Sequence, residues 1–165
     1  MGETWIKPEA NFMKCNIDVS FSTTDNSVGF GIIIRDDNGH FVKAQTIQIT
    51  PFLQVQEEKA KALKHAINWI TELGFVNVVF ELDDEIVVDA FNNPKVDDMS
   101  EFGLLIGDCR NLVDECLPNS RVVFTMKKAN KAAGVLASVA LDMVYPQVYD
   151  HVPLCIAPIV FKEMI

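Results

Sequence analysis

The sequence predicts an α/β fold built on one mixed five-stranded sheet with helices on both faces, and three observations carry that reading. Met13–Phe21 alternates strictly, with Met13, Cys15, Ile17, Val19 and Phe21 on one face and Lys14, Asn16, Asp18 and Ser20 on the other, the period of a strand against a core. Two further strand-like runs, Ser27–Arg35 and His40–Thr50, follow at short intervals, which makes an antiparallel meander. Beyond Pro51 the pattern switches to helical periodicity interrupted by short apolar runs, and strands separated by helices pair in parallel.

Each element has its own signal. The turn Asp36-Asp-Asn-Gly39 joins the second and third strands, with its Asn-Gly pair supplying positive φ. Gln56–Leu73 is the clearest helix: Leu63, Ala66, Ile67 and Ile70 recur at helical spacing and Gly74 closes it. Phe75–Asp83 is a near-continuous apolar run and reads as a buried parallel strand ending in acid, Glu81, Asp83, Asp84 and Glu85. A short helix over Ile86–Phe91 stops at Asn92-Asn93-Pro94, and a long amphipathic one spans Ser100–Leu117. Arg121–Met126 is a short strand and Ala129–Val144 a final helix. The order is βββαβααβα over a core of about residues 12–144 in a single domain of 165, with 145–165 an irregular C-terminal extension. Right-handed crossovers place the later strands parallel to the first and beside it, so Asp18 falls on a central strand.

Composition narrows the class. Hydrophobic residues make up 49% of the chain, enough for a substantial core, and no apolar run approaches the roughly 18 residues of a membrane span. The opening residues carry no signal-peptide pattern, and Ile6 stands where an acylated Met1-Gly2 start needs Ser or Thr. Cys15, Cys109, Cys116 and Cys155 are scattered without a Cys-x-x-Cys pair, which fits reduced, buried thiols in an intracellular protein of nucleus or cytoplasm. The net charge of −9 means that any basic nucleic-acid face must be local.

Two residues stand out against this frame. Asp18 is a carboxylate in the middle of a strand, where it destabilises unless it is solvated or partnered. Lys59 falls in the apolar stripe of the first long helix, with Glu58 about 100° off it. Lys59 either snorkels from the helix end or meets a partner.

The succession Trp5-Ile-Lys-Pro8, Lys14-Cys-Asn-Ile-Asp18, Gly29-Phe-Gly-Ile-Ile-Ile-Arg-Asp36, Gly39-His-Phe41, Ala62-Leu63, Ala66-Ile67-Asn-Trp69, Val79-Phe-Glu-Leu-Asp83, Asn130-Lys-Ala-Ala133, Leu136-Ala137 and Val152-Pro153 resembles the type 1 RNase H-like domain of plant retroelement, reverse-transcriptase-like proteins. The resemblance implies an RNase H-like fold. It also implies an activity, Mg²⁺-dependent hydrolysis of the RNA strand of an RNA–DNA hybrid, for which four carboxylates hold two Mg²⁺ ions. On this chain the first and third of those carboxylates fall on Asp18 and Asp83. The second falls on Lys59 and the fourth on Gly134, so two ligand positions have lost their carboxylate, one by charge reversal. A dinuclear site so altered binds Mg²⁺ weakly or not at all, and the expected replacement is the Lys59 ammonium itself, paired with Asp18 and Asp83.

Three functions follow from this pattern. The favoured one is a catalytically impaired RNase H-like domain that still binds nucleic acid, an RNA–DNA hybrid or another form, through Lys127, Lys128, Asn130 and Lys131, with Lys61 and Lys64 extending the basic strip. The others are a residual hybrid ribonuclease and a scaffold with no nucleic-acid role. For both lysine clusters an ordinary solvated face is the competing reading.

Overall fold

The structure is a computed structural model and describes residues 4–52, 54–95 and 97–165. The reading of Met1-Gly2 lies outside these residues.

The strands β1 (Met13–Ser22), β2 (Ser27–Arg35) and β3 (Phe41–Ile49) form the expected antiparallel meander, Asp18 opposite Gly31 and Gly31 opposite Thr46. In the turn between β2 and β3 Gly39 takes φ +84°, its N–H bonded to Asp36 O, so Gly39 supplies the left-handed geometry. Helix α1 (Val55–Leu73) ends at Gly74 in the left-handed conformation, its N–H satisfying carbonyls of the last turn. The chain then re-enters the sheet as β4 (Val78–Leu82), parallel to β1 with Asn16 opposite Glu81. Asp84 caps α2 (Glu85–Asn92) and Ser100 caps α3 (Glu101–Cys116), each side chain accepting a first-turn backbone N–H. Strand β5 (Arg121–Phe124) runs parallel to β4, and α4 (Lys131–Ala140) closes the predicted set after a 3₁₀ turn over Lys127–Ala129.

The tail is more ordered than expected. Residues 147–149 form β6 (Gln147–Tyr149), antiparallel to β3, and α5 (Ala157–Glu163) follows. The sheet therefore has six strands, in the order β5-β4-β1-β2-β3-β6, rather than five. A three-residue strand and a seven-residue helix are too short for periodicity to announce them.

Helices cover both faces. One core packs Leu63, Ile67 and Ile70 of α1 and Ile106 of α3 against Ile17, Phe30, Ile32 and Phe80 of the sheet. On the other face, Ala133 and Leu136 of α4 and Val160 of α5 enclose Ile33 and Ala44. Helix α4 sits unusually close to β2. A Cβ on Gly29 would lie 2.2 Å from Ala137 O and one on Gly31 2.3 Å from Ala133 O, so both glycines are required for this approach. Close packing of α4 is what buries the polar face of β1. Lys14 and Asn16, on the polar face of β1, are buried, and β1 lies inside the sheet between β4 and β2 as the crossover argument expects.

Of the four cysteines, Cys15 and Cys109 are buried, whereas Cys116 and Cys155 are exposed, against the expectation that all four are interior. Among the described residues no helix is long and apolar enough to cross a membrane.

Candidate functional site at the ends of strands β1 and β4

Three β1 side chains, Lys14, Asn16 and Asp18, share the face that α4 covers, and β4 runs beside them in parallel register. At the first two positions the polar atoms are closely matched. Lys14 Nζ lies 3.0 Å from Glu81 Oε2, both side chains almost fully buried. Asn16 Nδ2 donates to Glu81 Oε1 at 3.0 Å and to Asn130 Oδ1 at 2.9 Å, while Trp5 Nε1 donates to Asn16 Oδ1 at 3.0 Å. Asn130 Nδ2 donates in turn to Ile17 O at 3.0 Å. Asn130, expected on the nucleic-acid face, is thus buried at the start of α4 and its amide fixes that helix to β1. Buried amides with no such partners would destabilise the layer by roughly 1–3 kcal/mol each.

One step further along, the pairing stops. Continuing the register brings Asp83, just past β4, beside Asp18. Asp18 Oδ1 accepts the Val19 N–H at 2.8 Å. A Cβ built on Gly134 would come 3.1 Å from Asp18 Oδ2, so Gly134 stands where the resemblance expects it, directly over the carboxyl. Burial is the main reason that the Asp18 pKa rises to about 7. Repulsion from Asp83 and a hydrogen bond with it raise it further, while the Val19 N–H and the Lys127 charge act in the opposite direction. Asp18 is therefore partly protonated near neutral pH. Above them opens a hollow of about 510 Å³, lined by Asp18, Ser20, Lys127, Lys131, Gly134 and Ser138 among others.

Lys59 does not join this pair. Its Nζ lies 2.6 Å from Asp84 Oδ2, and Asp84 uses its other oxygen, at 3.0 Å from Val87 N, to cap α2. The ammonium ties the first turn of α1 to the start of α2, so the expected Asp18–Lys59–Asp83 cluster is corrected: the cation that acts on Asp18 is Lys127. The orientation of the helix start also differs from expectation. Glu58 is fully buried and lies 3.5 Å from Lys61, whereas Lys59 keeps 28% of its side chain exposed. Glu58 shares its side of α1 with Ala62 and with His65, whose ring meets Gln45 of β3, so this side of the helix start lies on the sheet.

This donor set does not suit two Mg²⁺ ions. Two close Mg²⁺ ions need several carboxylates between them to balance their charge, and here Asp18 and Asp83 are the two that adjoin, with burial raising the Asp18 pKa to about 7. Gly134 offers no ligand, and the Lys59 ammonium is engaged with Asp84. Among the described residues no three His, Cys, Asp or Glu side chains converge in a metal-holding group.

The lysines divide between the two faces. Lys127, Lys128 and Lys131 are exposed around the start of α4, and Lys127 and Lys131 line the Asp18 hollow. Lys61 and Lys64 belong to α1 on the opposite face, within reach of Glu58 at 3.5 Å and Asp108 at 3.1 Å, and do not extend the strip. Sequence reasoning does not find the buried pairs Lys14–Glu81 and Arg35–Glu163, the latter 2.7 Å long with the Arg35 guanidinium 4.0 Å over the Trp5 ring. The alternation that places Lys14 beside Asn16 is the available signal for the first; the second depends on α5, which periodicity does not reveal.

The reverse transcriptase-like family model matches residues 16–140, and the chain belongs to that family. A comparison with curated proteins gave no match. Among solved structures the chain is similar to RNase H1 from the halophilic archaeon Halobacterium salinarum, with 16% identity over 79% of this chain and 98% of that one, at a TM-score of 0.71. It is also similar to LC11-RNase H1 in complex with an RNA/DNA hybrid, with 18% identity over 79% and 96% of the two chains, at a TM-score of 0.70. A foamy viral protease-reverse transcriptase in complex with an RNA/DNA hybrid matches at 12% identity and a TM-score of 0.62, over 79% of this chain and 20% of that one. The fold is thus the RNase H fold.

Proposed function

We propose that this domain binds nucleic acid, with an RNA–DNA hybrid as the class, at the Asp18 hollow and does not cleave it by the Mg²⁺-dependent route of its family. The carrying observation is the combination of three exposed lysines, Lys127, Lys128 and Lys131, with a carboxylate pair that lacks its second and fourth companions. Lysines at the rim neutralise phosphates and supply most of the affinity, independently of sequence. Partial protonation of Asp18 near neutral pH keeps the hollow from repelling a phosphate as strongly as two full charges would. Two structural neighbours are themselves complexes with RNA/DNA hybrids, which supports the choice of ligand class. A retroelement origin, one domain over 1–165 and a location in nucleus or cytoplasm accompany this reading.

Fluorescence anisotropy with a labelled blunt hybrid in EDTA tests it. Binding that weakens steeply with salt is expected, and Lys127→Glu with Lys128→Glu should weaken it and flatten the salt slope by about 2. No binding at low salt would overturn the reading and leave a scaffold role in its place.

A further inference from the structure

We propose that a second cavity, between the N-terminal segment and α5, takes a single-stranded extension of the nucleic acid held at the Asp18 hollow; this deepens the functional reading above and rests on it. The cavity measures about 580 Å³ and is lined by Lys7, Lys128, Lys131 and Lys162, with Trp5 and Glu163 at its wall. Four lysines face one glutamate there, and that glutamate is already paired with Arg35 at 2.7 Å. In a chain of net charge −9 this is a concentrated positive site. Among the described residues Lys7, Lys131 and Lys162 take part in no ion pair.

Charge alone would suit any anion, and three further features select a nucleic-acid strand. The first is continuity: Lys131 and Ile159 line both this cavity and the Asp18 hollow, so the two adjoin and a strand leaving one meets the other at a lysine. The second is the mixed wall. Ile6, Pro158, Ile159 and Ile165 supply apolar surface beside the lysines, the combination that takes unpaired bases and their phosphates together. The third is size, since this volume lies within the range of small-ligand pockets and admits single nucleotides but no duplex. Behind the wall, the buried Arg35 guanidinium stacks on Trp5 and pairs with Glu163, so the one carboxylate of the cavity is balanced from beneath. The walls contributed by residues 4–7 and 158–165 lie outside the 16–140 segment that the family model matches.

The test compares a blunt RNA–DNA hybrid with hybrids carrying a 5′ or a 3′ overhang of about four nucleotides, by anisotropy in EDTA. One overhang polarity should bind about tenfold tighter than the blunt probe. The variant Lys7→Glu/Lys162→Glu should abolish that gain and leave blunt-hybrid affinity unchanged, which also shows that it is folded. Equal affinity for all three probes, or a gain that survives the double substitution, overturns the proposal while leaving the hybrid-binding reading intact. Failure of every probe to bind overturns both.

Discussion

Two places on the same pair of strands solve the problem of buried charge in opposite ways. At Lys14 and Glu81 the charges are opposite, 3.0 Å apart, and surrounded by the amides of Asn16 and Asn130. At Asp18 and Asp83, one repeat of the strand further, the charges are alike and burial drives a proton onto Asp18 near neutrality. The first arrangement is complete as it stands. The second is a carboxylate pair of the kind that ordinarily needs cations, in a chain where the flanking positions are glycine and a lysine turned elsewhere. Polar residues at the closed end thus organise the fold, while those at the open end remain disposed toward a ligand.

The contrast is sharpest where a partner can be removed. Lys14→Ala or Glu81→Ala leaves one buried charge uncompensated and should lower stability by about 3–5 kcal/mol in urea denaturation. Asp18→Asn should do the reverse. The folded pKa of Asp18 is raised above the unfolded value of 3.8, so the protonated form favours folding, and stability present at low pH is lost as pH rises from about 4 through about 7. At about 1.4 kcal/mol per pH unit that loss is bounded at about 4 kcal/mol, and the part-exposed position reduces it to roughly 2. The amide that replaces the Asp18 carboxyl keeps an oxygen for the Val19 N–H, so in EDTA the variant should exceed wild type at pH 8 and match it near pH 4. A variant that loses stability at both pH values would show that Asp18 is an ordinary paired carboxylate.

Lys59→Ala should cost only about 1 kcal/mol, because its bond to Asp84 is part-exposed, and should leave the pH dependence owed to Asp18 unmoved. A large loss coupled to a change in that pH dependence would restore the Lys59-centred cluster. Lys59→Glu combined with Gly134→Asp should introduce Mg²⁺ binding measurable by calorimetry where wild type gives little or no heat, since the Gly134 Cβ direction leads to Asp18 Oδ2.

Most of the architecture is legible because long elements carry their period on their surface. The meander, α1, the parallel β4 and the placement of Asp18 on a central strand all follow from alternation, helical spacing and crossover handedness. Strand β6 and helix α5 are not legible, since each gains its apolar contacts from elements distant in sequence. The site divides in the same way. Asp18, Asp83 and Gly134 meet as the motif spacing implies, because strand register and the glycine-enabled approach of α4 fix them rigidly. Lys59 departs from expectation because a long side chain at a helix start can reach several carboxylates, and only the position of Asp84 at the cap of α2 decides among them. Asn130 lines the same hollow and also commits its amide to a buried network, a second role that its place in the sequence does not reveal.

The central claim, binding without Mg²⁺-dependent cleavage, is tested most directly by incubating wild-type protein with an end-labelled RNA–DNA hybrid in Mg²⁺, in Mn²⁺ and in EDTA, and following bound and cut fractions together. Equal binding in all three and an intact RNA strand throughout are the predicted result. RNA cleavage that requires the metal and stops in EDTA would contradict it.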